Sequence, residues 1–384
     1  MWRIALLAAS LVACVAPEET ADPSSVTDVL PQGTCTPAAG KLTVYALPPP
    51  AELDWSTPNV LLDSVIASRS AGAKLKAAGE VAMAHSIGHV NVELDCGDFS
   101  IALTGQTDQG GGDWQAATDG AGLLLRDVPG AMDAMDRIGD AEDTAADIAA
   151  RQKSGRVSQI SFVVNEQMCR RLKTFHDTYV QSGAYKHYNG SMRARRLEGA
   201  GCAIFGAGMV DVGGLLRRSQ FTPEWAQTKM IGSARMADFL GDGKYKYGGN
   251  LSAVDESGTH WVWPKGTDVP VSNTTPVYIY SDVLDAWNGP EDREFPIAGL
   301  TGRMKTQLPF TIYDPAMMAT WAERVWTQAQ GAGSATSLGV TWTASTVGKA
   351  HEVTYDATCV QPQTIGFTED HDDLFEDSDA PQRN

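Results

Sequence analysis

Alternation of apolar and polar residues predicts several β-strands between residues 51 and 360. In the clearest case, Val90, Val92 and Leu94 alternate with polar neighbours, so one face of the strand is apolar and the other is polar. A turn at 96–98 and a returning strand at 99–103 complete a hairpin. Further strands are expected at residues 157–164, 277–280, 340–345 and 351–355.

Apolar residues that recur every three or four positions predict helices between these strands. The expected helices lie at residues 60–84 with a break near Gly72, 132–151, 166–180, 202–216 and 315–330. The helix that begins at Cys202 contains several glycines, and each glycine costs a helix roughly 0.5–1 kcal/mol relative to alanine. We therefore expect this helix to pack closely against a sheet. The mixture of helices and strands predicts an α+β fold.

The first fourteen residues have the pattern of a bacterial export signal. Arg3 is followed by the short apolar run 4–12, and the small residue Ala13 stands before Cys14. The apolar run is shorter than the roughly 20 residues that a membrane-spanning helix needs. We therefore expect residues 1–13 to be a cleaved signal peptide.

Residues 11–14, Leu-Val-Ala-Cys, resemble the lipobox of bacterial lipoproteins. The resemblance implies that Cys14 becomes the first residue and carries diacylglycerol and a further acyl group such as palmitate, which anchors the protein to a membrane. Val15 stands where inner-membrane members of this family usually have Asp, so we expect the protein to be anchored in the outer membrane. Whether it lies on the periplasmic or the outer face stays open. A plain secretory signal with a chance cysteine is the alternative interpretation.

Two segments are expected to lie outside the folded part of the chain. Residues 14–50 are rich in Pro, Thr, Ser and Ala and are expected to form a lipidated tether. Residues 361–384 form an acidic, self-repelling tail.

The net charge of −17 argues against nucleic acid and anionic lipid as partners. After the tether about 330 residues remain, enough for one large domain or two smaller ones.

The cysteine count after lipidation is odd, which leaves at least one free thiol or an intermolecular bridge. With Cys14 lipidated, five cysteines remain for an oxidising compartment: Cys35, Cys96, Cys169, Cys202 and Cys359. We expect Cys35 to pair with Cys359, which ties the two ends of the fold, and Cys96 to pair with Cys169, which both lie next to predicted strands. Cys202 is then left over. Other connectivities stay open, because four cysteines alone allow three.

The candidate chemistry rests on Cys202 and His89. Cys202 follows the glycine-rich run 199–201 at the start of a predicted helix, and a helix N-terminus stabilises a thiolate. The preceding glycines let backbone N–H groups approach a substrate oxygen, as an oxyanion hole requires. His89 heads a predicted strand on its polar face, where an imidazole can take a proton from a thiol and return it to a leaving group.

His89 before an alternating strand, and Gly201-Cys202 before a helix of small residues, are similar to the circularly permuted NlpC/P60 branch of the papain-like proteins. That branch has the order His, strands, Cys, and includes peptidoglycan peptidase relatives and lecithin:retinol acyltransferase-like enzymes. The resemblance implies a papain-like core with an antiparallel sheet and a packed nucleophile helix, with Cys202 as nucleophile and His89 as general base. It covers residues 80–217 and requires 107–156 to be an insertion.

The resemblance also places a third polar residue on the strand after the His strand. Ser100, Thr104 and Gln106 are available there, and none of them stands out. The core is then expected at residues 51–220, and a mixed α/β extension at 221–360 completes the fold.

Two classes of function are compatible with this pattern. The first is a membrane-anchored lipoprotein with cysteine-dependent amidase, peptidase or acyltransferase activity, with cell-wall peptide as the substrate class suggested by analogy. The second is a non-catalytic surface or periplasmic lipoprotein that binds a protein or a glycan, in which Cys202 is an inert buried thiol. No cofactor is expected. His85 and His89 are four residues apart, but the strand pattern after His89 argues against a metal site.

Overall fold

The computed structural model describes most of residues 35–360. The segments without a described structure are 56–57, 98–99, 112–127, 134–139, 189, 191–193, 198, 233–251, 255–259, 263–276, 280–292 and 296–306. The proposed signal peptide, the lipidation site Cys14, most of the tether and the acidic tail lie outside the described residues. Within them, no helix is both long and apolar enough to cross a bilayer.

The described residues form six helices and sixteen strands. The helices are α1 (Pro58–Ala77), α2 (Asp140–Ser154), α3 (Glu166–Ser182), α4 (Cys202–Val212), α5 (Arg218–Trp225) and α6 (Pro315–Ala332). The strands are β1 (Gly40–Leu47), β2 (His89–Asp95), β3 (Ile101–Thr104), β4 (Gln106–Asp108), β5 (Val128–Met132), β6 (Ser158–Val164), β7 (His187–Tyr188), β8 (Ala226–Gly232), β9 (Ser252–Val254), β10 (His260–Val262), β11 (Val277–Ile279), β12 (Arg293–Phe295), β13 (Gln307–Tyr313), β14 (Ala335–Ser337), β15 (Val340–Val347) and β16 (Ala350–Asp356).

A seven-stranded sheet forms the centre of the fold, with its strands in the order β14-β15-β16-β6-β1-β2-β3. Strand β1 is antiparallel to both neighbours, β2 and β6, whereas β16 is parallel to β6. The sheet is therefore mixed, and the expectation of an antiparallel sheet is wrong at this one pairing, because the β15–β16 hairpin places its second strand on β6 in the same direction. The combination of helices with this sheet fits the predicted α+β class.

Strand β1 is covered on both faces. Leu42, Val44 and Ala46 point into the larger hydrophobic core, which also takes in buried side chains of α3, α4 and α6. Tyr45 and Leu47 point to the opposite face, where they pack with Ile148 of α2. Both contacts follow from the alternation of side-chain direction along a strand.

The position of β1 corrects the predicted extent of the tether. The sequence analysis assigned residues 14–50 to an unfolded tether, but Gly40–Leu47 is a strand between β2 and β6. The segment 42–47 is rich in buried apolar side chains, which the neighbouring Pro, Thr and Ala residues obscured. The folded part of the chain therefore begins before residue 50.

Two helix predictions also need correction. Helix α1 runs through Gly72 without a break. An added Cβ at Gly72 would lie 2.8 Å from Ala84 Cβ, so this glycine allows close packing of the helix against the chain that follows it. The helix expected at 132–151 begins only at Asp140, and Met132 ends strand β5.

The C-terminal part of the chain shares the central sheet. Strands β14, β15 and β16 form one side of it, and α6 packs across them and onto β6 and β1. A second sheet has the order β10-β9-β8-β13, and β11 pairs with β12. Residues 221–360 thus contribute strands to the same sheet as β1 and β2.

Two disulfide bonds join distant parts of the chain, in the two pairings that the sequence analysis favoured. Cys35 is bonded to Cys359, and Cys96 is bonded to Cys169. The second bond links the end of β2 to α3 inside the core. Cys202 remains a free, buried thiol.

Candidate active site

Cys202 is the first residue of α4, and the chain before it is held in place by its own backbone. Gly199 has a φ of 129°, a conformation that favours glycine, and Ala200 N–H donates to His187 O at 3.2 Å. Gly201 is the N-cap residue, and it has no side chain to accept from the first helical N–H groups. The first-turn residues Cys202, Ala203 and Ile204 therefore receive no side-chain cap, and all three line a pocket.

Helix α4 lies unusually close to strand β2 at Gly206. A Cβ added at Gly206 would lie 2.5 Å from Val90 Cγ1 and 3.5 Å from Val44 Cγ1. A side chain at this position would push the helix away from the sheet. The close packing that was expected for this glycine-rich helix is therefore confirmed, and it brings the helix start next to the first residue of β2.

His89 opens strand β2 and pairs with Leu47 of β1. Its side chain is buried, at 5% relative exposure. Nε2 lies 2.9 Å from Asp133 Oδ2, and the imidazole also makes a side-chain hydrogen bond with Cys202. The structure thus brings the two predicted residues, Cys202 and His89, into direct contact and adds Asp133 behind the histidine.

Asp133 is held in place by three further hydrogen bonds. Asn91 Nδ2 donates to the same Asp133 Oδ2 at 2.8 Å. Thr104 Oγ1 donates to Asp133 O at 2.6 Å, and Asp133 N–H donates to Gly105 O at 2.8 Å. These contacts fix the carboxylate against β2 and β3, where it can orient the His89 ring.

Because Gly105 has no side chain, there is room beside it for the side chains of His89 and Asn91. A Cβ added there would lie 2.7 Å from Asn91 Nδ2 and 3.0 Å from His89 Nε2. Any side chain at this position would therefore displace the groups that surround the Asp133 carboxylate.

The charges of the cluster favour a protonated His89. Burial lowers the pKa of His89, but the Cys202 sulfur and the Asp133 carboxylate outweigh this effect and raise the pKa to about 10. Burial raises the pKa of Asp133, yet the hydrogen bonds from His89 and Asn91 hold it below its usual range. The site is therefore built to hold an imidazolium between a sulfur and a carboxylate.

A second buried cluster supports His89 from the side. The rings of His85 and His89 stack with centroids 4.4 Å apart, and His85 Nε2 lies 3.4 Å from Asp147 Oδ2. Asp147 accepts from Arg151 Nε at 2.7 Å and from the backbone N–H groups of Ala82 and Met83 at 2.7 and 2.8 Å. These bonds pin the segment that carries His85 to helix α2.

His85 differs from His89 in its charge. Burial and the nearby charge of His89 lower the pKa of His85 to about 4. His85 is therefore a neutral ring that lies flat against an imidazolium. Two stacked rings do not converge on a shared ion, and in the described part of the chain no three His, Cys, Asp or Glu side chains group together as metal ligands would.

The third residue of the site is not among the three candidates taken from the sequence. Ser100 donates to Gly97 O in the hairpin turn, and Gln106 bonds with Tyr179 and the backbone of Tyr185. Thr104 reaches only the backbone of Asp133. Asp133 takes the position instead, because β5 runs beside β4 and delivers its next residue to the end of the His strand.

A pocket opens beside the Cys202 thiol. Its walls are formed by side chains from distant parts of the sequence: Trp55, Ile87, Tyr188, Ile312, Tyr313 and Pro315. Gly201, Cys202 and Ala203 form the wall at the helix start. The pocket therefore joins the thiol and the first-turn N–H groups of α4 to an apolar space.

This arrangement has the parts that acyl transfer through a cysteine requires. Cys202 supplies a nucleophile, His89 a proton acceptor and donor, Asp133 an orienting carboxylate, and the α4 N-terminus backbone donors. Comparisons of the chain with protein families, with curated proteins and with solved structures found no match.

Proposed function

We propose that this protein is a cysteine-dependent enzyme that forms a thioester on Cys202 and passes the acyl group to water or to another acceptor. The observation that carries the proposal is the alignment of Cys202, His89 and Asp133, with His89 bonded to both of the others. A nucleophile, a base and a group that orients the base form the minimal set for this chemistry.

The reaction proceeds in two balanced steps. In the first, Cys202 Sγ, whose proton is held by His89, attacks the carbonyl carbon of the substrate, and the leaving group departs with that proton. In the second, water or an acceptor attacks the thioester, gives its proton to His89, and releases the acyl product, which returns Cys202 Sγ to its place beside a protonated His89. The negative oxygen formed in each step faces the backbone N–H of Cys202.

A permuted papain-like core is part of the proposal. The support is the order of the elements: His89 opens a central strand, and Cys202 opens a buried helix that packs on that strand through Gly206. Asp133, which lies between them in sequence, takes the orienting role.

The proposed place of action is the outer membrane, through a lipid anchor on Cys14. Cell-wall peptide is the substrate class that such a location suggests by analogy. Metabolic labelling of the full chain with a palmitate analogue tests the anchor. We expect label on the wild type and none on Cys14→Ser, and an unlabelled wild type would contradict the anchor without bearing on Cys202.

Alkylation of the folded, unreduced protein by iodoacetamide tests the catalytic proposal. The other four cysteines of the described chain are in disulfides, so mass spectrometry reads Cys202 directly. We expect rapid labelling at pH 6, because a thiolate paired with an imidazolium reacts where an ordinary thiol does not. His89→Ala should slow labelling about 10-fold or more, in line with the loss of a positioned base.

The same experiment separates the enzyme from a binding lipoprotein. Glu142→Gln, a change on the exposed side of α2, serves as the matched control and should label like the wild type. If Cys202 labels only after unfolding, the catalytic proposal fails, and a lipoprotein that binds a protein or a glycan takes its place.

A further inference from the structure

The walls of the pocket beside Cys202 are apolar. Of the described residues that line it, none is Asp, Glu, Lys, Arg or His. Trp55, Ile312 and Pro315 are buried, and Ile87 is partly exposed at the pocket. The space next to the thiol therefore suits a group without charge.

Tyr313 contributes its ring to the pocket and has other partners for its hydroxyl. The Tyr313 hydroxyl shares a hydrogen bond of 2.7 Å with Thr222 and accepts from Arg218 Nε at 3.0 Å. The guanidinium carbon of Arg218 lies 5.6 Å from the centre of the Tyr313 ring, and Arg218 is not among the described residues that line the pocket. A carboxylate in the pocket would lose its hydration and gain no cation from these described residues.

The pocket joins parts of the chain that sequence analysis could not connect. Trp55 precedes α1, Ile87 precedes β2, and Ile312 to Pro315 joins β13 to α6. The C-terminal part of the chain, to which the sequence assigned no role, thereby forms one wall of the space next to Cys202.

We propose that this pocket binds the acyl group that becomes attached to Cys202, and that the acyl group is uncharged and apolar. The inference rests on the proposed function and narrows its substrate class. We therefore expect slow acylation of Cys202 by donors whose acyl group carries a carboxylate near the reacting carbonyl. An apolar acyl chain and an apolar amino-acid side chain share this chemistry.

Two thioesters of similar size test the inference, one with a butyryl group and one with a succinyl group on N-acetylcysteamine. In each reaction the bond from the acyl carbon to the donor sulfur breaks as the bond to Cys202 Sγ forms, and the Cys202 proton passes through His89 to the released thiol. Intact-protein mass spectrometry after rapid quenching measures acyl-enzyme. We expect the butyryl donor to acylate Cys202 at least about 10-fold faster, because a buried carboxylate lacks a partner.

A positive charge placed in the pocket wall should reduce this preference. In Ile87→Lys, the long side chain can reach from a partly exposed position and offer a cation to the succinyl carboxylate. The ratio of succinyl to butyryl acylation should rise about 10-fold or more. Ile87→Leu is the matched control and should keep the wild-type ratio. The ratio is the readout, because a nearby charge alters the reactivity of His89 equally for both donors.

The outcomes separate this inference from the proposed function. Equal rates in the wild type, or a preference for succinyl, overturn the apolar pocket while leaving the thioester chemistry in place. A folded Ile87→Lys protein with an unchanged ratio also overturns it. If Ile87→Lys does not fold, the wild-type ratio decides alone. If neither donor acylates Cys202 and iodoacetamide does not label it, the proposed function itself fails. Where the butyryl donor is preferred, a hexanoyl donor and an N-acetylleucyl donor distinguish an apolar acyl chain from an apolar amino-acid side chain.

Discussion

The imidazole rings of His85 and His89 lie face to face, with centroids 4.4 Å apart and planes within 9° of parallel. The His85 ring is partly exposed beside Asp147 and its pKa is lowered, while the His89 ring is buried between a sulfur and a carboxylate and its pKa is raised. His85 therefore fixes the plane of the His89 ring without competing for its proton. The two histidines are four positions apart in sequence, and their rings stack on each other.

The first prediction concerns stability in acid. Burial lowers the pKa of His85 to about 4 from 6.5, so between these values the unfolded chain binds a proton that the folded chain excludes. The free energy of unfolding should therefore fall as the pH drops from about 6.5 to about 4, by up to roughly 3 kcal/mol from this residue. His85→Phe keeps an aromatic ring and should flatten this part of the profile.

Urea unfolding of the wild type and of His85→Phe at pH 7 and pH 4.5 measures the effect. The groups that face His85 do not share its window: His89 stays protonated, Arg151 stays charged, and the pKa of Asp147 lies well below its usual range. The difference in slope between the two proteins is the readout. Parallel profiles would contradict the assignment of a neutral His85.

The second prediction couples His89 to Cys202. The sulfur is the largest of the contributions that raise the pKa of His89 to about 10 against the effect of burial. Cys202→Ala should therefore lower that pKa, since burial then opposes Asp133 alone. Titration of the histidine Cε1 carbon by NMR measures it directly. Cys202→Ser tests whether a hydroxyl can replace the thiol, and an unchanged pKa in the alanine variant would show that Cys202 and His89 are not coupled.

The third prediction concerns Asp133. Removing its carboxylate in Asp133→Ala should slow acylation of Cys202 by about 10²-fold or more, because the His89 ring loses the group that orients it. Asp133→Asn keeps a hydrogen-bonding oxygen and should lose less activity than Asp133→Ala. The pH profile of acylation and the unfolding transition together separate orientation from folding. Both variants should acylate Cys202 more slowly near neutral pH and still unfold cooperatively. Equal activity in wild type and alanine variant would remove Asp133 from the site.

The fourth prediction concerns the fit of α4 against the sheet. Gly206→Ala should destabilise the fold by about 1–3 kcal/mol, because its Cβ would clash with Val90 Cγ1. Adding Val90→Ala should recover part of this loss, which a double-mutant cycle quantifies. Gly331→Ala is the matched control, since a Cβ there meets nothing within 4 Å, and it should stabilise α6 by about 0.5–1 kcal/mol. Similar effects of the two alanines would contradict a specific close approach at Gly206.

The sequence predicted the elements with regular patterns and missed those without them. The alternation after His89 and the small residues after Cys202 were enough to place a strand and a helix that the structure brings together. Asp133 could not be found in this way. It lies 44 residues after His89, at the end of a short strand that contains Pro129 and Gly130, and several other acids are nearby in sequence. What selects it is the pairing of β5 with β4, which is a long-range contact.

Strand β1 was missed for a different reason. Its apolar residues form one short run between a Pro- and Ala-rich segment and three consecutive prolines, and the composition of these neighbours hid the strand pattern. In the structure each of these residues is buried because strands from later in the chain flank β1 on both sides. The composition of a short segment does not show which strands will flank it in the sheet.

The position of β6 in the sheet determines the order in which the strands of this sheet can pair. Strand β6 comes from the middle of the sequence, yet it lies between β1 from the beginning and β16 from the end. A chain that emerges from the ribosome or a translocation channel from its N-terminus can pair β1 with β2 and β6 early. It must leave one long edge of β6 open until about two hundred further residues have followed. During that interval the edge is a template for pairing with other chains, and the arrival of β16 is the event that closes it.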